Sequence, residues 1–560
     1  MATEKEVQDF LHALEEGAWA PWVRWAVALA AVATLVVVMM TRFIGLSAPE
    51  GMEQAAIARE IARGDGFSTK TIRPMALWQL KQYPAGNIPD TFHAPLNPWL
   101  NSLFLRLRSK DWKITPATNV YAPDKVIAEV AIGLFLLSAG INYLTARRLF
   151  DARLAAIGLG LILLCDSFWQ YAFSGLPQML MLFLFSAAVH ALTREGILWT
   201  AAAGVFFGLL ALAHGLTIWI FAGALVYACF AFGVRRALPM LGLFVLLYAP
   251  WLVRDHRVCG DAFGLGIYAC LDGVVHSGSA WMRSPTPLFD AVGPGAFLYK
   301  FRTQAASQFD GMYGLLGGSL AAPLFFPALL HPFKRASLAS LRWGLLLMGL
   351  GAFLGMCFFG LGDAESPDPN SPNNLYILFT PMMICYGLAF LLALWNRLEN
   401  GFLLVRIGLL SLLYAVSAIP LLNGLLKSQG RFHWPPYVPP VIALINGWTN
   451  EKEIVCSDMP WAVAWYADRK CLWLPSTMKQ FLQISDYAEL GSPLVGLFLT
   501  PVTGNGRLQG DILSGEYADW ARIILGAPPP ARFPLQYPQV FFVRNQCIYL
   551  SDWPRWKSAR

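Results

Sequence analysis

The chain has 560 residues, 56% of them hydrophobic and 14% charged, with a mean hydropathy of +0.48 and a formal charge of +7. Soluble domains carry about 25% charged residues, so an ordinary soluble enzyme is excluded. The Lys and Arg residues stand mostly in pairs at the ends of apolar runs, which makes them reporters of membrane topology and argues against nucleic acid as a partner.

In chain order, residues 1–21 come first. Val7, Phe10, Leu11 and Leu14 share one stripe, which predicts a short amphipathic helix on the cytoplasmic surface. The acidic stretch Thr3–Glu16 precedes the first apolar run and no small-residue cleavage site follows it, so the first span is expected to stay as an anchor. Apolar runs of about 20 residues are long enough to cross a hydrocarbon core of about 30 Å. They lack the alternation of membrane barrel strands, so they predict helices. Eleven spans are expected, near 22–44, 125–146, 153–174, 176–193, 197–214, 216–234, 237–254, 315–333, 341–362, 375–396 and 402–425. The expected class is a polytopic α-helical membrane protein, with residues 22–425 as its membrane domain.

Under this count Arg147/Arg148, Arg194, Arg235/Arg236, Lys334/Arg335 with Arg342, and Arg397 with Arg406 fall on one side. That side is cytoplasmic by the positive-inside rule, which puts the N-terminus inside and the C-terminus outside. Three segments are then exported: 46–124, 255–314 and 426–560.

The last of these changes composition. After the Pro-rich stretch 430–440, the runs EIVCSDM, PWAVAWYAD, KCLWLP, STMKQFLQISDYAEL and PLVGLFLTP alternate strand and helix patterns. QVFFVRNQCIYLSD reads as a hairpin around Arg544 and Asn545. Residues 426–560 are therefore expected to form an exported α/β domain. Trp461, Trp465 and Tyr466 either pack in its core or make a platform on which a sugar stacks. Among the nine cysteines, Cys165, Cys229, Cys357 and Cys385 lie in spans. Cys259 with Cys270, and Cys456 with Cys471, are candidate disulfides, with free buried thiols as the alternative and Cys547 left over.

The first exported loop concentrates charge beside the bilayer. SAPEGMEQAAIAREIARGDGFSTKTIRP predicts a surface helix that opens at Pro49 and stops at Gly64 and Gly66. Glu50 and Glu53 are three residues apart, so both carboxylates lie on one face at the end where the helix dipole favours negative charge. A solvated helix start reads the same way, and the position directly above a span is what distinguishes this one. Asp166, inside LLCDSFWQY, puts a carboxylate in an apolar run, where it must face the bundle interior, cap a broken helix or pair with a Tyr. His93, His256, Asp255 and Glu53 leave a divalent metal open as a cofactor, but no ligand motif supports one.

The order of an acidic residue after a span, AAIAREIARGDGF, and the Pro-rich FHAPLNPWL resembles the first exported loop of the GT-C superfamily of membrane glycosyltransferases. The resemblance is close to glycosyltransferase family 39, whose relatives include protein O-mannosyltransferases and the aminoarabinose transferase acting on lipid A. SFWQYAFSGLPQMLMLFLF and NNLYILFTPMM continue the resemblance through the spans, over about 400 residues in order. It implies a GT-C-like fold and an enzyme that moves a sugar from a polyprenyl-phosphate carrier to an acceptor hydroxyl of a glycan, lipid or protein. The expected setting is a bacterial inner membrane, with the reaction on its exported face.

The family's acidic base maps to Glu50, with Glu53 as second candidate. The adjacent acidic partner of the family is here Gly51, and its second Asp is here Gln178. The resemblance also implies cations for the phosphate. Candidates are Arg59, Arg63, Lys70, Arg73, Arg254, Arg257, Lys300 and Arg302, with Arg73 and Arg254 preferred for their planar forks. His93, in the Pro motif, and His214, where relatives carry a basic residue, are further candidates. Tyr376 is kept in the late span, although the Arg before it is replaced by Leu375. An oligosaccharide polymerase or ligase using a polyprenyl diphosphate, and a non-enzymatic transporter or assembly subunit working through Asp166, are the rival functions.

Overall fold

The structure is a computed structural model that describes residues 20–80, 86–108, 112–272, 274, 278–286, 292–360, 370–395, 403–426, 438–486, 491–500, 512–513, 515–539 and 547–557. The expected N-terminal amphipathic helix, Arg397, most of the Pro-rich stretch and the hairpin tip at Arg544 and Asn545 lie outside the described residues.

Helix α1 (Ala20–Thr41) leads into α2 (Pro49–Arg63), then strands β1 (Ser68–Thr69) and β2 (Thr71–Ile72), helix α3 (Pro74–Leu80), β3 (Ile88–Pro89) and α4 (Leu96–Arg108). The bundle continues through α5 (Ala122–Leu149), α6 (Ala152–Leu164), α7 (Asp166–Ser174), α8 (Gln178–Leu192), α9 (Ile197–Ala213), α10 (Thr217–Phe232) and α11 (Val234–Cys259). After α12 (Pro294–Asp310) come α13 (Ala336–Phe359), α14 (Thr380–Trp395) and α15 (Leu403–Leu426).

Among the described residues, four helices are long and apolar enough to cross a membrane: α5, α11, α13 and Ile407–Leu426 within α15. The end of α1 and helices α8, α9, α10 and α14 are shorter and apolar. Two expected spans are corrected. The stretch 153–174 is two helices bent by 52° at Cys165, so Asp166 opens the first turn of α7 and accepts a hydrogen bond from Gln170 at 2.5 Å. The stretch 315–333 is not one span but short helical turns. Gly317 and Gly318 take positive φ (74° and 67°), and Pro323 and Pro327 cannot continue a hydrogen-bonded helix.

Arg147, Arg148, Arg194 and Arg335 gather at one end of the bundle. Arg335 donates to the carbonyls of Leu149 and Phe150 at 2.9 and 3.1 Å, beside Arg147 and Arg148. The other end of the 28-residue α5 lies about 42 Å away and carries the loops and the C-terminal region.

That region opens with α16 (Pro439–Trp448), then β4 (Ile454–Ser457), β5 (Lys470–Trp473), α17 (Met478–Asp486), β6 (Leu494–Leu499), β7 (Tyr537–Gln539) and β8 (Ile548–Ser551). The sheet order is β2-β5-β4-β6-β8-β7, with β2, β5, β4 and β6 parallel. Its edge strand β2 comes from the first loop, where Thr71 stands opposite Cys471. Met52, Ala55, Ile72, Val455 and Trp465 share one apolar core, separate from that of the bundle. All nine cysteines are free. In the parallel register Val455, not Cys456, stands opposite Cys471, so the two thiols face opposite sides of the sheet and the candidate bridge cannot close. Cys259 instead points its thiol at the carbonyls of Asp255 and Asp261.

Arg59 bolts α2 to this sheet. Its side chain is 1% exposed and donates to the carbonyls of Trp465 and Ala464, both at 2.7 Å, and to Asp468 at 2.8 Å. Asp468 takes a left-handed conformation (φ 53°) to end the π-helical turn Val463–Ala467, and also meets Arg63 at 2.8 Å and Lys70 at 2.5 Å. Burial alone would raise its pKa, but these cations outweigh burial and hold it at about 2. Arg59→Met keeps the packed stem and removes the guanidinium, leaving two carbonyls and part of a carboxylate unmet. It should cost roughly 2–4 kcal/mol, read as a lower thermal midpoint of the detergent-solubilised chain. Arg302→Met, at an exposed position, should leave the midpoint within about 0.5 kcal/mol of the parent.

Candidate active site

Helix α2 starts at Pro49, whose ring presets the helical φ, and carries Glu50 in its first turn with Glu53 one turn on. Gly51 explains why the second carboxylate is not adjacent. A Cβ there would stand 2.2 Å from the carbonyl oxygen of Ser174, so the close approach of α2 to the turn after α7 excludes any side chain at 51.

Glu53 pairs with Arg73, and its Oε2 is 3.1 Å from His93 Nε2. The other ring nitrogen, Nδ1, lies 3.3 Å from Asp90 Oδ2. Asp90 holds this loop in a tight turn, because its Oδ1 accepts from the backbone N–H of Phe92 at 3.0 Å and of His93 at 2.7 Å. Arg73 is also 3.8 Å from Asp90 and lies over the Phe92 ring at 4.3 Å. All four charged residues are buried, and two carboxylates balance two cations.

The electrostatics separate the titratable groups. Burial works against a charged His93, but Asp90 and Glu53 outweigh it and raise its pKa to about 9. Burial also opposes ionisation of Asp90, yet His93 and Arg73 pull its pKa well below the usual carboxylate range. Among the described residues Glu50 has no such partner. Burial is the main influence and, with the charge of Glu53, prevails over His93 and Arg73 to raise it to about 7. His214, in the turn between α9 and α10, is driven down to about 4 by burial and by the charge of His93, so it is neutral at pH 7.

Glu50, Glu53, Arg73, His93 and His214 line one cavity of about 760 Å³. Its wall also includes Asp255, Trp219, Trp251, Trp461 and Trp473, the last two from the C-terminal sheet region. Glu50 is the partly exposed carboxylate of the pair, and Glu53 is the buried one.

The other candidates lie elsewhere. Arg59, Arg63 and Lys70 belong to the Asp468 cluster, so Arg59 is a structural cation and does not face the cavity. Arg254 sits behind the site, donating to the Asp90 carbonyl at 2.6 Å and to Asp255 at 2.7 Å. Lys300 is buried against the carbonyls of Ala269 and Cys270, and Arg302 is exposed away from the cavity. Tyr376 is buried in the bundle and donates to Gln308 at 2.9 Å, while Gln178 donates to the Pro372 carbonyl at 2.6 Å. Trp465 and Tyr466 donate to Asp124 at 2.7 and 3.0 Å within the core, which leaves Trp461 alone of the three aromatics on the cavity wall. Among the described residues, no group of three or more His, Cys, Asp or Glu is placed to hold a metal ion, so His93, His256, Asp255 and Glu53 do not form one. Asp90 and Trp473 are the site residues that sequence reasoning missed. The Asp-x-x-His spacing of Asp90 and His93 is the signal that could have found the former.

This arrangement of a bent helix bundle, a loop helix following α1 and a C-terminal α/β region is GT-C-like in fold. It is similar to the crystal structure of ArnT from Cupriavidus metallidurans bound to undecaprenyl phosphate, with a TM-score of 0.55, 14% identity and coverage of 95% of this chain and 98% of that one. The apo structure of the same protein gives the same values. The archaeal oligosaccharyltransferase AglB from Archaeoglobus fulgidus, in complex with an inhibitory peptide and a dolichol-phosphate, aligns over 90% of this chain and 72% of that one, with 13% identity and a TM-score of 0.49. No family model matches the chain, and neither does any curated protein.

Asp90→Asn removes the anion beside His93 Nδ1. The His93 midpoint should then fall well below about 9, measured by NMR titration of labelled histidine, and an unchanged midpoint would show that Asp90 does not hold the charge.

Proposed function

We propose that the chain is a glycosyltransferase that moves a sugar from a polyprenyl-phosphate carrier to an acceptor hydroxyl on the exported face of a bacterial inner membrane. The observation that carries this reading is a carboxylate poised near neutrality beside two buried cations, in one cavity at the loop end of a GT-C fold. The gathering of Arg147, Arg148 and Arg335 at the opposite end supports an N-terminus inside and a C-terminal region outside.

The division of labour follows from the environments. Glu53 is held by Arg73 and His93 and serves to orient them. Glu50, free of such a pair and titrating near 7, is the general base. The acceptor oxygen attacks the anomeric carbon while its proton passes to Glu50. The bond from that carbon to the phosphate oxygen breaks, and the phosphate leaves with the electron pair, its charge met by Arg73 and the His93 imidazolium. Water-poor surroundings strengthen both attractions.

The pH dependence follows from two groups. Transfer should rise through about pH 7 as Glu50 loses its proton and fall through about pH 9 as His93 loses its charge. The check is kcat/KM for transfer from undecaprenyl-phosphate-linked sugar by the purified chain. Glu50→Gln should lower it by at least about 100-fold and abolish the rising limb. Full activity in that variant would remove Glu50 from the mechanism.

A further inference from the structure

At the end of the bundle away from Glu50, a second cavity of about 420 Å³ opens between the end of α5, the turn that joins α8 to α9 and the start of α13. That volume lies in the usual range for ligand pockets, about 300–1,000 Å³. Arg148, Arg194, Glu195, Trp199 and Ser337 line it. Two cations thus share the wall with one anion. Arg147 and Arg335 add positive charge close by, since Arg335 donates to the carbonyl of the wall residue Leu149 at 2.9 Å.

Neutral groups hold Arg194 in place. Its guanidinium lies over the Trp199 ring at 4.2 Å, and Nη2 donates to His190 Nε2 at 3.3 Å. A ring nitrogen that accepts carries no proton, so the proton sits on Nδ1, which donates to Thr145 Oγ1 at 2.8 Å. That hydroxyl donates in turn to the Ile141 carbonyl at 2.8 Å. This relay orients the arginine and leaves its charge uncompensated. Nε is buried, whereas Nη1 is accessible and makes no hydrogen bond among the described residues. Arg148 is exposed, and among the described residues neither arginine is ion-paired with Glu195 or any other carboxylate.

The pocket opens where lipid-facing surface ends. On α5 the exposed Leu144 lies one turn before Arg148 on the same face, and the exposed Leu137 lies two turns before Leu144. Ile197 and Leu198, also exposed, open α9 beside Arg194. In a bilayer such surface meets acyl chains, and a Trp with arginines at its edge sits at headgroup level. A soluble phosphate would use the cations alone, and a phospholipid uses both surfaces.

We propose that this pocket binds the phosphodiester of an anionic phospholipid in the leaflet at the basic end of the bundle. Arg148 and Arg194 meet the phosphate oxygens, the Ser337 hydroxyl is a further donor, and an acyl chain runs along Leu144 and Leu137. Basic pockets between spanning helices bind anionic headgroups in this way. Glu195 opposes the phosphate and holds the affinity below what the arginines alone would give. The ammonium of a zwitterionic lipid would be repelled by the same arginines. This site goes beyond glycosyl transfer and does not rest on it.

The test is native mass spectrometry of the full chain in detergent, titrated with dioleoylphosphatidylglycerol or dioleoylphosphatidylethanolamine. Wild type should hold the glycerol lipid about tenfold more tightly than the ethanolamine lipid. Arg148→Gln and Arg194→Gln should each weaken it about fivefold, and the double variant about 25-fold. Glu195→Gln should tighten it about threefold, a gain that misfolding does not produce. Because Arg148 is exposed and unpaired, Arg148→Gln should keep its thermal midpoint in the absence of lipid. No preference between the lipids, full affinity in the double variant, or weaker binding by Glu195→Gln overturns the site. Glycerophosphoglycerol, the same headgroup without acyl chains, should leave the lipid bound at equal concentration. Displacement by it would assign the pocket to soluble phosphate esters and overturn the phospholipid.

Discussion

The buried guanidinium of Arg59 is the interaction on which the site depends. Taken out of water, its charge must be met by Asp468 and its remaining N–H groups by the carbonyls of Ala464 and Trp465. Those partners lie about 400 residues further along the chain, so one side chain ties the first loop to the C-terminal sheet. The N-terminal end of the same helix is pinned at Gly51, where the backbone packs against the Ser174 carbonyl. Held at these two points along its length, α2 places Glu50 and Glu53 on the cavity wall.

Rigid placement lets two like carboxylates acquire different roles. Glu53 is drawn into a network with Arg73, His93 and Asp90, in which each buried charge has an opposite neighbour. Glu50, one helical turn away, meets burial without a direct partner among the described residues, and its pKa is raised to about 7. Environments that push paired titratable groups apart are the usual physical basis for assigning an acid or base. The network also explains why so few of the loop's cations reach the cavity. Arg59, Arg63 and Lys70 are spent on Asp468, and Arg254 braces the Asp90 turn from behind.

Much of the bundle was legible because a hydrocarbon environment imposes length and polarity on each span. The exceptions have local causes. Gly317, Gly318, Pro323 and Pro327 break an apolar stretch that hydropathy alone counts as continuous, and a bend at Cys165 divides another. The pairing of β2 with β5 was not legible, since two residues of a loop carry no strand periodicity and their partner is distant in the chain. Arg59 and Arg73 look alike in sequence, both in a loop beside the membrane. Only the direction in which each faces makes the first a structural bolt and the second a site cation.

The sequence by itself determined the membrane class, the basic end of the bundle, the helix that carries Glu50 and Glu53, and the presence of His93 and Arg73 nearby, because these follow from composition and short-range spacing; the expected surface position of that helix did not follow, since residues 51–60 are buried. The tertiary structure alone decided which carboxylate is paired and which is poised, which cations face the cavity, that Cys456 and Cys471 lie on opposite faces of the sheet, and that Trp461 and Trp473 close the site. Each of these depends on contacts between segments far apart in the chain. Burial, which sets both the charge states and the reach of every side chain, has no value until those segments are packed together.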